Sequence, residues 1–439
     1  MGDVLMSFAG APRCAAPQRS RLESARRLCA IGLVLAIGAA ISACQTPMRM
    51  PLPPPPPPPV ESPPPPPPPP IFVPPPPPPR AELPNYYRLR NTPAGVVPAR
   101  VALILPFSSP SAETRALADS LQKAAELAIF DAKIPNILLM PRDDGGSPEQ
   151  AALAVAKAID DGAEIILGPL FAQSVAAITP IAREKKVPVV AFSSDRAVGG
   201  RGIYLLSFQP DTEVRRIVNY AASKGHRQFS ALVPRSPYGE VVAEAFRNSV
   251  MESGASIATL QSFDAAPELV AGPARQAAAA RADAILIGDG GVMLQAIAPA
   301  LVIGGANSQT TKFLGTGLWA DAAVAREPLL ESGWFAGPSP EAFAVFSVHY
   351  RAIYNTQPPR IATLAYDAMA LVALLAKGRP YKRFTEAALT DPSGFSGVDG
   401  IFRFRDNGSA ERGLAILEVS PGGFRVVDPA PTAFPAAGF

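Results

Sequence analysis

Few residues in this 439-residue chain could form covalent or metal bonds: three cysteines (Cys14, Cys29, Cys44) and two histidines (His226, His349). All the cysteines precede Gln45, so the remainder offers no disulfide, no thiolate metal site and no cysteine nucleophile. The histidines are far apart and form no His-Glu-x-x-His helix. A zinc site on both would need an acidic ligand from elsewhere, so they read as ordinary, partly exposed side chains. There is no Gly-x-Ser-x-Gly elbow and no Gly-x4-Gly-Lys-Ser/Thr phosphate loop. Gly288-Asp289-Gly290-Gly291 lacks the spacing of a dinucleotide fingerprint. Asp143 and Asp144 are adjacent, and neighbours on an extended chain point to opposite faces, so a turn fits them better than a shared metal. No nucleophile–base pair is visible. The reading is a non-enzymatic chain with no metal and no cofactor.

Charge narrows the partners. The chain has 40 Lys/Arg and 37 Asp/Glu, but the first 43 residues hold Arg13, Arg19, Arg21, Arg26 and Arg27 against Asp3 and Glu23, leaving 35 of each sign beyond them. A neutral body lacks the basic face that nucleic acid requires.

The N-terminus reads as an export signal over residues 1–43. Its arginines form a positive region, and Leu28–Ala43 follows as an apolar run. Sixteen helical residues span about 24 Å, short of a bilayer core of roughly 30 Å. The run ends in small residues before Cys44, the pattern of a cleaved signal peptide. Ile41-Ser42-Ala43-Cys44 resembles a bacterial lipobox, usually with Leu where Ile41 stands. The resemblance implies cleavage before Cys44 and lipid on that residue, hence a membrane contact through the N-terminal lipid. Gln45, in place of the aspartate that usually retains such proteins at the inner membrane, implies an outer-membrane anchor facing the periplasm. Met6 is an alternative start.

Residues 44–98 are expected to be a disordered proline-rich tether. From Pro51 to Pro79, 22 of 29 residues are proline. Such a run has few amide donors and a fixed φ, which closes helix and sheet to it. As polyproline II at about 3.1 Å per residue it would reach roughly 90 Å, a semi-rigid stalk.

The rest alternates short apolar strands with alanine-rich helices. Val101–Leu105, Ile137–Met140, Ile165–Leu167, Val187–Phe192, Ala231–Val233 and Ala284–Ile287 read as strands. Ala116–Ala132, Pro148–Asp160, Gln173–Glu184, Gly239–Ser253 and Val292–Ile303 read as helices. Continuous β-branched runs, each followed by an amphipathic helix, imply an α/β fold of parallel sheets flanked by helices. LILPFSSP at 103–110 is echoed by ALVPRSPY at 231–238, which suggests two similar lobes. Phe402–Glu418 reads as a closing hairpin turning at Asp406-Asn407-Gly408. Ligands of such sheets sit beyond the carboxyl ends of the strands. The candidate loops are therefore Pro106–Pro110, Pro141–Ser147, Gly168–Ser174, Ser193–Val198, Pro234–Tyr238, Asp289–Gly291 and Gly315–Trp319. Ser147 and Asp289 could equally be helix caps.

The order of DDGGSPEQAALAVAKAIDDGAEIILGPL (143–170), TPIAREKKVPVVAFSS (179–194), PYGEVVAEAFRNSVMESGASI (237–257), YDAMALVALL (366–375) and GVDGIFRFRDNG (397–408) resembles the leucine-binding family of type I periplasmic binding proteins. The resemblance covers about Val101–Val427. It implies two lobes joined by three crossovers, with a ligand cleft at the hinge. The domain would span 99–427, with lobe one at about 99–208 and 338–390, lobe two at about 209–337 and 391–427, and a tail at 428–439. The cleft would be lined by Ser108, Ser109, Ala172, Ser193, Ser194, Asp195, Tyr238, Asp289 and Trp319. Amino-acid binders of the family usually carry serine where Ala172 stands, and Asp195 puts an acid where a ligand carboxylate would dock. Like charges in a closed cleft cost several kcal/mol. The acid used for a ligand ammonium would fall near Gly317 and Leu318, neither of which is acidic. Tyr238 matches an aromatic wall of the family cleft. Leu105–Ser108 and Gly168–Phe171 are closer to the outer-membrane lipoprotein activators of penicillin-binding proteins. That resemblance implies a regulator of peptidoglycan synthesis with a penicillin-binding protein as partner. The alternative is the substrate-binding protein of an ABC transporter for amino acids or amides, with a small-molecule ligand.

Overall fold

Val101, Leu103 and Leu105 face one apolar layer and Ala102 and Ile104 another, and all five are fully buried. A strand apolar on both faces must be covered by helices on both sides, and this strand, β1 (Ala99–Leu105), sets the plan of the first lobe. The structure, a computed structural model, describes Tyr87 and residues 95–434. The expected signal segment, Cys44 and the proline run lie outside the described residues.

Lobe one is a five-stranded parallel sheet in the order β2-β1-β3-β4-β5, with β2 Ile137–Asp143, β3 Ile165–Leu167, β4 Val189–Ala191 and β5 Ile203–Leu205. Helices α2 (Pro148–Asp160) and α3 (Ala172–Lys185) cover one face through Ala151, Val155, Val175 and Ile178. Helix α1 (Ala112–Ala132) covers the other. Tyr87 exchanges two backbone hydrogen bonds with Leu139, 2.8 and 2.9 Å, so the incoming chain pairs with the edge strand β2.

Lobe two repeats the plan with α4 (Pro210–Ser223), β6 (Gln228–Pro234), α5 (Pro237–Glu252), β7 (Ser256–Phe263), α6 (Ala271–Ala279), β8 (Ala284–Ile287), α7 (Gly291–Ile303), β9 (Lys312–Gly315) and β10 (Trp334–Gly337). Helices α4 and α5 cover one face of its sheet, α6 and α7 the other. The chain then returns to lobe one as α8 (Pro340–Tyr354) and α9 (Ala362–Leu375), whose Phe346, Leu364 and Val372 join the core beneath α1. A one-turn helix α10 (Glu386–Leu389) follows.

The C-terminal segment departs from the sequence reading. Phe402–Glu418 is not one hairpin in lobe two. Strands β11 (Phe395–Gly397), β12 (Gly400–Phe404) and β13 (Ala410–Arg412) form a separate antiparallel sheet. Its Phe395, Phe402, Phe404 and Ala410 are buried in the core of lobe one. Only β14 (Ala415–Ser420) and β15 (Gly423–Asp428) extend lobe two, as antiparallel strands in the order β15-β14-β10-β9-β8-β6-β7. The last crossing therefore falls at Gly413-Leu414, not near 391. Period-two alternation explains it: Phe402 and Phe404 share a strand face, and Phe404 packs on Tyr204 with ring centroids 5.0 Å apart. The turn does sit at Asp406-Asn407-Gly408. Gly408 has φ +79°, and a Cβ there would lie 2.2 Å from the Ile203 carbonyl oxygen, so only glycine lets the turn close on β5. Strands β5, β7, β9 and β10 escape the sequence reading: β5 spans three residues, β9 and β10 four each, and β7 is a largely exposed edge.

Because Phe402 is fully buried in lobe one, Phe402→Ala should cost about 3–5 kcal/mol of stability. Urea denaturation checks this; a loss below 1 kcal/mol would contradict the placement.

Candidate functional site

The loops beyond the strands carry nearly all the candidate residues, and the fold sorts them into two groups. The first group is held by lobe one alone. The Ser108 amide donates to Asp143 Oδ1 at 3.1 Å, and the buried Ser109 gives its carbonyl to Arg115 at 2.6 Å. Burial alone would raise the Asp143 carboxyl, but hydrogen bonds from Ser108 and the Gly145 amide outweigh it and hold Asp143 below the usual range. Asp144 points the other way, is fully buried, and is pushed up to about 6 by burial against the Gly146 amide. The acidic pair thus forms a turn, and Ser147 caps α2 by accepting from the Gln150 amide. Ala172 opens α3, whose N-terminus has no side-chain cap.

The second group lies at the interlobe cleft, a cavity of about 620 Å³. Ser194 and Asp195 face it from lobe one, and Tyr238 faces it from the first turn of α5. Ser193 lies beneath, buried, its Oγ accepting from the Asp195 amide at 3.2 Å. Asp195 Oδ1 accepts from the Ala197 amide at 2.9 Å and so caps the short 3-10 turn Arg196–Val198. Tyr238 Oη and Thr316 Oγ1 are 2.9 Å apart, and burial pushes the phenol upward. Ser108, Ser109, Ala172, Asp289 and Trp319 do not line this cavity. Trp319 is wholly buried and donates its indole N–H to the Asp289 carbonyl at 3.1 Å; burial raises the Asp289 carboxyl. Asp289 does not cap α7, whose N-cap is Gly290.

Three features are absent from the sequence reading. Arg196 of lobe one forms an ion pair with Asp211 at the start of α4, joining the lobes across the cleft wall. Thr316 is fully buried behind Tyr238. Glu213 is buried and accepts from the Gly317 amide at 2.8 Å. A Cβ on residue 317 would lie 2.6 Å from Glu213 Oε1, so glycine is what admits the carboxyl. Burial pushes Glu213 up to about 7, opposed by the Gly317 amide and assisted by Asp211. Nothing local marks Glu213, since an acid in a first helical turn is ordinary. Among the described residues no group of three His, Cys, Asp or Glu side chains converges on a metal position. His226 instead lies 3.8 Å from Asp283, and His349 lies 3.5 Å from Asp131.

The cavity is walled by both lobes, and several of its polar groups are committed to one another. A family model described as periplasmic binding protein matches residues 98–423. The penicillin-binding protein activator LpoA of an Enterobacter species is 27% identical over 169 residues, 38% of this chain and 21% of that protein. An uncharacterized protein of Rickettsia prowazekii is 21% identical over 170 residues, 39% of this chain and 44% of that protein. The chain thus matches less than half the length of these curated relatives. The crystal structure of a putative branched-chain amino acid ABC transporter from Rhodospirillum rubrum superimposes with a TM-score of 0.68 at 17% identity, over 75% of this chain and all of that one. At such identity the likeness shows the fold.

Glu213 generates a pH prediction. Folded, it keeps its proton to about pH 7; unfolded, it loses it near the ordinary value of 4.5. Between these values the folded state binds more protons, so stability falls as pH rises. Glu213→Gln should remove this slope and gain on the order of 3 kcal/mol relative to the wild type between pH 4.5 and pH 7. Denaturant titrations of both proteins at the two pH values test it; identical slopes would overturn the assignment.

Proposed function

Because the chain belongs to the periplasmic binding protein family, we propose that it is a non-enzymatic, lipid-anchored periplasmic regulator that stimulates a peptidoglycan synthase, a penicillin-binding protein. The observation that carries this reading is the state of the cleft. Asp195 places a carboxylate at the wall where an amino-acid carboxylate would dock, and one of its oxygens accepts from the protein's own backbone at Ala197. Ser193 Oγ accepts from the Asp195 amide and Tyr238 Oη pairs with Thr316, while Ser194 faces the cavity. A cleft whose acid and hydroxyls are largely tied to the protein itself favours a partner met through the outer surface. The similarity to a protein named as a penicillin-binding protein activator supports the choice of partner.

The second reading, a substrate-binding protein of an ABC transporter for amino acids or amides, is favoured by the size of the cleft and by the structural neighbours. The readings separate by experiment. A transport receptor at 100 times its Kd would gain about 2.7 kcal/mol of stability from its ligand. The regulator should show no thermal shift with any free amino acid, and should raise the glycan-polymerising or cross-linking rate of a penicillin-binding protein from the same cell. A clear shift with one amino acid and no effect on any such synthase would replace the proposal with the transport reading.

The address is tested separately. The wild type should fractionate with the outer membrane and Cys44→Ala should not. Equal distribution of the two proteins would remove the lipid anchor from the account.

A further inference from the structure

A second cavity, of about 470 Å³, opens on the other side of the Arg196–Asp211 pair. Its size lies in the range of small-ligand sites. It lies between the β12–β13 turn of lobe one and the first turns of α4 in lobe two. Two features are unexplained by the fold. Gln209 lines this groove, is only 4% exposed, and has neither side-chain atom hydrogen-bonded. It occupies the N-cap position of α4 without forming a side-chain cap bond. A buried primary amide with both donor and acceptor unsatisfied is costly. Arg215, exposed, lines both this groove and the main cleft, and its guanidinium takes part in no ion pair or hydrogen bond among the described residues. The other arginines here are committed, Arg196 to Asp211 and Arg405 to Glu411.

We propose that this groove binds a short peptide with a free C-terminal carboxylate. A primary amide offers one donor and one acceptor side by side, which complement the carbonyl and N–H of one peptide group. The unpaired guanidinium supplies the partner for a carboxylate. The N-terminus of α4 adds a favourable field for that charge. A dianion such as phosphate fits poorly, because Asp211, Asp406 and Glu411 also line the groove. A free amino acid lacks a peptide group that could pair with Gln209 in both directions while its carboxylate meets Arg215. Since the walls belong to both lobes, occupancy would bear on the angle between them. The inference does not depend on the regulatory reading.

Isothermal titration of the full chain with tri-alanine, tri-alanine amide and alanine tests it. Tri-alanine should bind, the amide at least tenfold more weakly, and alanine without measurable heat. Gln209→Leu should weaken tri-alanine at least tenfold. Arg215→Gln should abolish the preference for the acid over the amide. Asn248→Ala, on the α5 wall of the main cleft, should leave tri-alanine affinity unchanged. No heat with tri-alanine, equal affinity for acid and amide, or a loss on Asn248→Ala matching that on Gln209→Leu would overturn the proposal. Should Gln209→Leu fail to fold, the exposed Arg215→Gln decides together with Asn248→Ala: a retained preference for the acid in the first, or weakened tri-alanine in the second, defeats the assignment.

Discussion

The fold depends on a buried arginine at the junction of its lobes. Arg412 donates through Nε to the Ser207 carbonyl and lies 3.8 Å from Asp367 of α9. Its guanidinium also packs over the rings of Phe208 and Phe402. Ser207 stands where the chain first leaves lobe one, and Arg412 immediately precedes the last crossing. Asp367 in turn accepts from the Val398 amide, and neighbouring Asp399 is held by Arg360 and Thr363. Burial raises the Asp367 carboxyl, the nearby Asp399 adds to the rise, and Arg412 opposes it. Removing one member of such a group leaves a buried charge without its counterpart, at a cost of about 3–5 kcal/mol. The cluster sits where the strands cross and ties Ser207, β13 and α9 together there.

Around this fixed junction the cleft is built to be self-sufficient. Hydroxyls and carboxylates that an amino-acid receptor would turn toward its ligand are turned here toward backbone amides and one another. The lobes are joined instead by the Arg196–Asp211 pair, a contact between side chains of unlike charge that is exposed enough to be exchanged for water at modest cost. Under the regulatory proposal, a macromolecular surface or a peptide at the hinge takes the controlling part that a small metabolite would otherwise play.

Much of this architecture was legible because burial on both faces of a parallel sheet writes continuous apolar runs, as in Val101–Leu105, Ile165–Leu167 and Ala284–Ile287. Helices α1, α2, α5 and α7 announced themselves by periodicity, and Ser147 by its place before Pro148. The assignment of Phe402 and Phe404 to a lobe was not legible, since an alternating strand shows that one face is apolar but not which core receives it. The cleft was legible at Ser194, Asp195 and Tyr238, which follow strand ends directly. Glu213, Thr316 and Gln209 were not, because their importance arises from burial and missing partners, and these exist only when distant segments such as Gly317 and the β12–β13 turn are brought together.

The antiparallel pairing of Tyr87 with Leu139 has a mechanical consequence. Tension arriving along the backbone from upstream is delivered to the rim of the first sheet, as shear across two hydrogen bonds, before it reaches β1. The second lobe lies off that load path. A load arriving at the rim reaches that half only through the crossings at the junction, not along the strand that first takes it up.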